Sequence, residues 1–73
     1  MRLREVYDAV VKRIVEIKGY RPVEVTEDVL DQAIGDVRGS DPRTIERWKS
    51  RFLKAGLIKY LGGFPPKRVY ELL

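Results

Sequence analysis

The chain of 73 residues contains no cysteine and no histidine. It therefore cannot form a disulfide, a zinc site of the cysteine or histidine type, or a catalytic pair built on a thiol or an imidazole. No carboxylate-rich calcium loop and no phosphate-loop pattern is present in the sequence. These absences predict a protein that is not an enzyme and that uses no metal, cofactor or small-molecule ligand.

Long apolar runs are also missing, and none approaches the ~20 residues that cross a bilayer. The first ten residues, MRLREVYDAV, mix acids with bases and lack the apolar stretch of a signal peptide. We therefore expect a cytoplasmic protein without a membrane partner. Asparagine is absent, and glutamine and methionine occur once each. Scarcity of thermolabile residues beside abundant arginine, lysine and glutamate indicates a thermophilic source.

The charged residues are divided unevenly along the chain. The formal net charge is +4. Residues 1–37 carry six basic and eight acidic side chains, whereas residues 38–73 carry nine basic and three acidic ones. A basic half beside an acidic half favours a face that binds a polyanion, although a solvated charged surface is the commoner origin of this pattern. The short length predicts a single domain over residues 1–73.

Two helices are predicted in the first half from apolar side chains at three- and four-residue spacing. The first covers residues 3–18 and ends at Gly19, because glycine tolerates the left-handed conformation of a helix end. The second follows Thr26, a candidate N-cap, and also ends at a glycine. Val11 and Val15 widen the apolar stripe of the first helix. This helix therefore lies centrally in the core or packs on a second copy in a homodimer.

Residues 39–58, GSDPRTIERWKSRFLKAGLI, are the most informative segment. Ser40 or Asp41 is the predicted N-cap of a third helix, Pro42 suits its first turn, and Gly56 ends it. The side predicted to face the core consists of Ile45, Trp48, Phe52 and Ala55. The other side is rich in arginine and lysine, so the helix would present cations once its apolar side is buried.

Three short strands are predicted, over residues 20–25, 57–61 and 68–72. The glycine–proline turn at residues 62–66 is long enough only for a hairpin loop between the last two strands. Phe64 at its tip either wedges into a partner or packs against the protein. The tyrosines are predicted to lie in the core or at its edge: Tyr7, Tyr20, Tyr60 and Tyr70.

The order helix, strand, helix, helix, strand, loop, strand resembles the winged helix-turn-helix domain. The residues that carry the resemblance are Arg43-Thr44-Ile45-x-Arg47-Trp48, Phe52, Gly56-Leu57-Ile58 and Val69-Tyr70-Glu71-Leu72. The chain looks most like the small stand-alone winged-helix DNA-binding proteins of archaea and their viruses. The resemblance implies a mainly α fold of the α+β class, with three helices, a short strand and a C-terminal two-stranded hairpin wing.

The resemblance also implies a partner, double-stranded DNA, with the third helix in its major groove. Arg43, Thr44 and Arg47 lie early in this helix and would reach base edges, while Arg51 and Lys54 would bind phosphates. Lys49 and Ser50 are candidates at the flank of this site. The alternative is a solvated helix face whose cations offset the charge of Glu46 through helical pairing.

The wing adds a second candidate contact. Lys59, Lys67 and Arg68 flank the hairpin loop, and a basic hairpin can lie along a minor groove or a phosphate backbone. The alternative is an edge hairpin whose charges and prolines prevent strand pairing.

The predicted function is that of a sequence-specific DNA-binding transcriptional regulator. A protein-interaction module in a transcription or replication assembly is the second hypothesis. Two features depart from the winged-helix pattern. The turn between Ala33 and Thr44 is longer than in the tight motif, so the second helix is expected to be extended or irregular at its end. The second helix is also acidic, although its start approaches a DNA phosphate in such domains. The acidic residues in question are Glu27, Asp28, Asp31 and Asp36.

Overall fold

The computed structural model describes residues 2–73. Three α-helices, α1 (Leu3–Lys18), α2 (Glu27–Arg38) and α3 (Pro42–Lys54), accompany three β-strands, β1 (Glu24–Thr26), β2 (Ile58–Gly62) and β3 (Val69–Leu72). The strands form one antiparallel sheet in the order β1-β3-β2. The α+β class is therefore confirmed, and the short strand joins the hairpin in a three-stranded sheet. Over residues 2–73, every helix is too short or too polar to cross a membrane.

The helix ends follow the local signals in the sequence. Gly19 has a left-handed backbone (φ 84°), and its N–H donates to the Val15 carbonyl. Asp41, rather than Ser40, caps α3, because its side chain accepts a hydrogen bond of 2.8 Å from the Arg43 N–H. Thr26 occupies the N-cap position of α2, but its side chain makes no capping hydrogen bond. Thr26 therefore lies where a cap is expected without acting as one.

The core lies between the three helices and one face of the sheet. The buried apolar side chains are Val6, Tyr7, Val10, Ile14, Val25, Leu30, Ala33, Ile34, Trp48, Phe52, Ile58, Tyr70 and Leu72. Phe52 is fully buried, with its ring centroid 5.4 Å from that of Tyr7 and 6.1 Å from that of Trp48. The apolar side of α3 is therefore anchored by aromatic packing against α1.

Several predicted core residues lie at the surface instead. Tyr20 is 61% exposed because β1 begins only at Glu24, which leaves the preceding segment outside the sheet. Tyr60 is 49% exposed, although it lies opposite Tyr70 in the sheet with ring centroids 5.8 Å apart. Its hydroxyl donates to the Gly63 carbonyl, so the ring extends toward the hairpin loop. Ala55 is exposed because α3 ends at Lys54.

Phe52→Ala is expected to lower the free energy of unfolding by about 3–5 kcal/mol, because it leaves a cavity where three helices meet. Phe64→Ala is the matched control. Phe64 is 86% exposed, so the same truncation should change stability by less than about 0.5 kcal/mol. Urea unfolding followed by circular dichroism measures both changes. Equal effects of the two substitutions would contradict this assignment of the core.

Candidate nucleic-acid interface

The side chains of α3 separate into a buried side and an exposed side. Successive residues of a helix turn by about 100°, so residues three, four and seven apart share a face. Trp48 and Phe52 face the core. The opposite side is formed by four exposed residues, Arg43, Arg47, Ser50 and Lys54. We call this set the outer stripe, and it contains four of the residues predicted to contact DNA.

The cations of the outer stripe are not neutralised by neighbouring carboxylates. Within residues 2–73, the ion pairs involve cations at other positions, on α1, at the buried residue Lys49 and at Arg68. Glu46, the acidic residue of α3, pairs with Lys49. The positive charge of Arg43, Arg47 and Lys54 is therefore directed to solvent, where it can attract a polyanion.

Arg51 and Thr44 lie on one flank of α3, between the core and the outer stripe. The Arg51 guanidinium carbon is 4.6 Å from the Trp48 ring centroid, and that of Arg38 is 5.2 Å from the same ring. Cation–π attraction of this kind holds a guanidinium in place while its outer edge can still bind an anion. Thr44 is half-buried on this flank. Arg38 was missed by sequence reasoning, although a cation just before the glycine that precedes α3 could have indicated it.

Lys49 lies on the other flank and is only 2% exposed. Its Nζ is 2.9 Å from Asp31 Oδ1, 3.0 Å from Glu27 Oε2 and 3.1 Å from Glu46 Oε1. The prediction that Lys49 contacts DNA is therefore wrong, because its ammonium is enclosed between α2 and α3. We call Lys49 and these three carboxylates the lysine cluster.

The charge balance of the lysine cluster explains its protonation. Burial alone would disfavour the charged ammonium, but hydrogen bonds to Asp31, Glu27 and Glu46 outweigh it and raise the pKa of Lys49. Burial raises the pKa of the Asp31 carboxyl, and repulsion from Glu27 and Glu46 adds to this, against the attraction of Lys49. The single ammonium of Lys49 thus pairs with three carboxylates, and Lys49 stays charged at neutral pH.

The acidic residues of α2 are directed away from the outer stripe. Glu27 and Asp31 bind Lys49, and Asp36 accepts a hydrogen bond of 2.8 Å from Arg13 of α1. A hydrogen bond from Thr26 lowers the pKa of Asp28, which favours its charged form at the positive end of the helix. The acidic residues of α2 therefore serve internal pairing, and Asp28 favours the positive end of the helix.

The β2–β3 hairpin, which we call the wing, is joined to the helices at its base. The Glu27 N–H donates to the Arg68 carbonyl at 2.7 Å, and Arg68 Nε lies 3.7 Å from Glu27 Oε2. Arg68 is half-buried, so one of the three cations predicted to flank the hairpin loop already contacts a carboxylate within the protein. Lys67 is exposed beside the loop, and Lys59 lies opposite Glu71 in the sheet. Lys67 is therefore the wing cation best placed for a partner.

A groove of about 390 Å³ separates the last turn of α3 from the wing. Its lining is mostly apolar and includes Leu53, Tyr60, Phe64 and Pro65, with Arg68 at one side. The groove places the hairpin tip directly beside α3. Among the described residues, no group of carboxylates is suited to hold a metal ion.

Comparison of the chain with protein-family models, curated proteins and solved structures finds no match. The interpretation of this site therefore rests on its own geometry and charge.

Lys49→Met is expected to lower the free energy of unfolding by about 3–5 kcal/mol at pH 7, because buried Glu27 loses the ammonium that is hydrogen-bonded to it. Lys54→Met, the same change on the outer stripe, should alter stability by less than about 0.5 kcal/mol. Combining Lys49→Met with Glu27→Leu should recover much of the loss, since the unpaired charge is then removed as well. Urea unfolding of the four proteins measures these differences.

The pH dependence of the same comparison has a defined sign. Because folding raises the pKa of Lys49 above its ordinary value of 10.5, its contribution to stability is complete below that pH. The contribution is lost only as the pH rises through the higher, folded-state pKa. A stability difference between wild type and Lys49→Met that fell between pH 7 and pH 9 would contradict the pairing described above.

Proposed function

We propose that this protein is a winged helix-turn-helix domain that binds double-stranded DNA and regulates transcription, with α3 as its recognition helix. The observation that carries the proposal is the outer stripe. It places exposed cations on one side of a helix whose other side is anchored in the core. A major groove about 12 Å wide admits an α-helix in this orientation. The 13 residues of α3 extend about 20 Å along its axis.

The proposed roles follow from position along α3. Arg43 and Arg47 lie in its first half and would donate paired hydrogen bonds to guanine, the commonest specific contact of arginine in the major groove. Ser50 lies between them and Lys54 on the same stripe and would bind a base edge or a phosphate. Lys54 and Arg51 would neutralise phosphates. Thr44, on the flank of the helix, would contact DNA only at the border of the interface.

The wing would contact the backbone beside the groove that α3 occupies. Lys67 supplies an exposed cation there, while Arg68 shares its charge with Glu27 and would contribute less. The fixed wing base supports this proposal, because a hairpin held to α2 loses little freedom on binding.

A homodimer would let the protein read two half-sites, as helix-turn-helix proteins commonly do. The predicted contact would run through Val11 and Val15 of α1. Val11 packs against the core, and both side chains are half-buried. Sedimentation at micromolar concentration distinguishes a dimer from a monomer.

The affinity for a duplex is expected to fall steeply with salt. With about five phosphates neutralised, log K should fall with log salt at a slope of about −4 to −5. Lys54→Ala should make the slope shallower by about 1, because one fewer counterion is released. Lys12→Ala removes an exposed lysine of α1 and should leave the slope unchanged. Fluorescence anisotropy at several salt concentrations provides the measurement, and a wild-type slope near zero would refute DNA binding.

Arg47→Ala is expected to relax sequence preference as well as to weaken binding. Loss of a paired arginine–guanine contact removes about 1–3 kcal/mol of discrimination at one base pair. Selection from random duplexes, carried out in parallel with wild type and with Arg47→Ala, shows whether one position of the site loses its preference. Uniform weakening at all positions would assign Arg47 to phosphate binding instead.

A protein-interaction module is the second candidate, and the apolar wing favours it. Tyr60, Leu61 and Phe64 are exposed by 49%, 44% and 86%. Under this function, neutralising the outer stripe would leave partner binding intact, and a wild-type protein that bound no duplex would favour it.

A further inference from the structure

Phe64 at the tip of the wing has the most exposed large apolar side chain within the described residues, at 86%. Single exposed apolar residues are common on protein surfaces and carry little meaning alone. Phe64 differs because the surrounding loop fixes its position and because cations lie beside it. Both features bear on the partner that this ring would meet.

The hairpin tip is held by several independent contacts. The Lys67 N–H donates to the Phe64 carbonyl at 2.7 Å, and the Tyr60 hydroxyl donates to the Gly63 carbonyl. Gly63 has φ +93°, and a Cβ at this residue would lie 2.7 Å from the Lys67 carbonyl oxygen. The backbone on both sides of Phe64 is therefore closely packed. Pro65 and Pro66 restrict it further, since proline fixes φ.

The tip lies on the side of the molecule where α3 would hold a duplex. Phe64 and Leu53 line the same groove, and Leu53, three residues after Ser50, lies on the flank of α3 next to the outer stripe. Lys67, three residues beyond Phe64, is exposed. An apolar ring at a rigid tip with a nearby cation is the combination by which proteins wedge into a minor groove: the cation binds the backbone and the ring enters a base step.

We propose that Phe64 inserts between two base pairs from the minor groove and kinks the duplex that α3 holds. This proposal rests on the DNA binding proposed above. A ring that packed against the protein would be buried, whereas Phe64 remains exposed. A platform for single strands requires several stacking rings in a row. The neighbouring Tyr60 instead packs against Tyr70 and bonds to the loop, so one ring projects from the tip.

The energetics of the wedge predict a sequence preference at a position without base hydrogen bonds. Separating two base pairs costs a few kcal/mol and is easiest at pyrimidine–purine steps such as TA and CA. Burial of the Phe64 ring offsets this cost, so the net effect on affinity should be small while the effect on DNA shape is large. Bending, rather than affinity, is therefore the informative measurement.

The test uses duplexes of about 30 base pairs with a donor and an acceptor at their ends. One duplex has a central TA step and another has a central A-tract, and each carries 2-aminopurine beside its centre. Wild type should shorten the end-to-end distance and raise 2-aminopurine fluorescence on the TA duplex, and do so less on the A-tract. Phe64→Ala should abolish both signals while weakening binding by less than about tenfold.

Two further variants separate the wedge from other effects. Phe64→Leu keeps an apolar wedge and should retain most of the bend, since leucine also serves this role. Lys67→Ala should reduce the salt dependence of binding and leave the 2-aminopurine signal of bound complexes unchanged. Circular dichroism and urea unfolding of Phe64→Ala should match wild type, because the ring is outside the core.

The outcomes distinguish the wedge from DNA binding itself. If wild type binds with the expected salt dependence but does not bend the duplex, or if Phe64→Ala bends it equally, the wedge is wrong and the proposed function stands. If wild type binds no duplex, both are wrong. Loss of bending in Phe64→Ala with retained binding, together with its recovery in Phe64→Leu, would support the wedge.

Discussion

The ammonium of Lys49, enclosed by Glu27, Asp31 and Glu46, joins α3 to α2, and Glu27 connects this cluster to the base of the wing. The Glu27 carboxylate also pairs with Arg68, and the Glu27 N–H donates a hydrogen bond to the Arg68 carbonyl at the base of the wing. Buried ion pairs contribute little net stability compared with apolar packing, but removing one partner is costly. This arrangement therefore favours one orientation of α3 relative to the wing, which the proposed DNA-binding surface would require.

The lysine cluster also determines where the charge of the protein is available. Glu27 and Asp31 form ion pairs with Lys49, and Asp36 forms an ion pair with Arg13. The cations of the outer stripe have no such partners within residues 2–73. The acidic first half and the basic second half of the chain thus become an internally paired scaffold and an exposed cationic face. That separation, rather than the net charge of +4, supports the proposal of DNA binding.

Sequence periodicity predicted the helices well, because an apolar stripe and local end signals act within a few residues. The bounds of α1 and the burial of Trp48 were expected, and Asp41 was one of the two residues predicted to cap α3. The outer stripe was largely foreseen for the same reason, since the positions of Arg43, Arg47 and Lys54 on the helix follow from their spacing. Tyr20 and Tyr60 were misplaced because strand length and sheet edges depend on distant partners.

The sequence by itself determined the three helices, the hairpin and the division of α3 into an apolar and a cationic side. Only the tertiary structure decided which cations are available to a partner. Lys49 and Lys54 are the same residue type on the same helix, yet packing of α2 on α3 buries the first among carboxylates and leaves the second in solvent. Likewise, Arg38 joins Arg51 only because two helices bring both guanidiniums to Trp48. Local spacing determines the face on which a residue lies, but charge pairing depends on contacts between segments far apart in the chain.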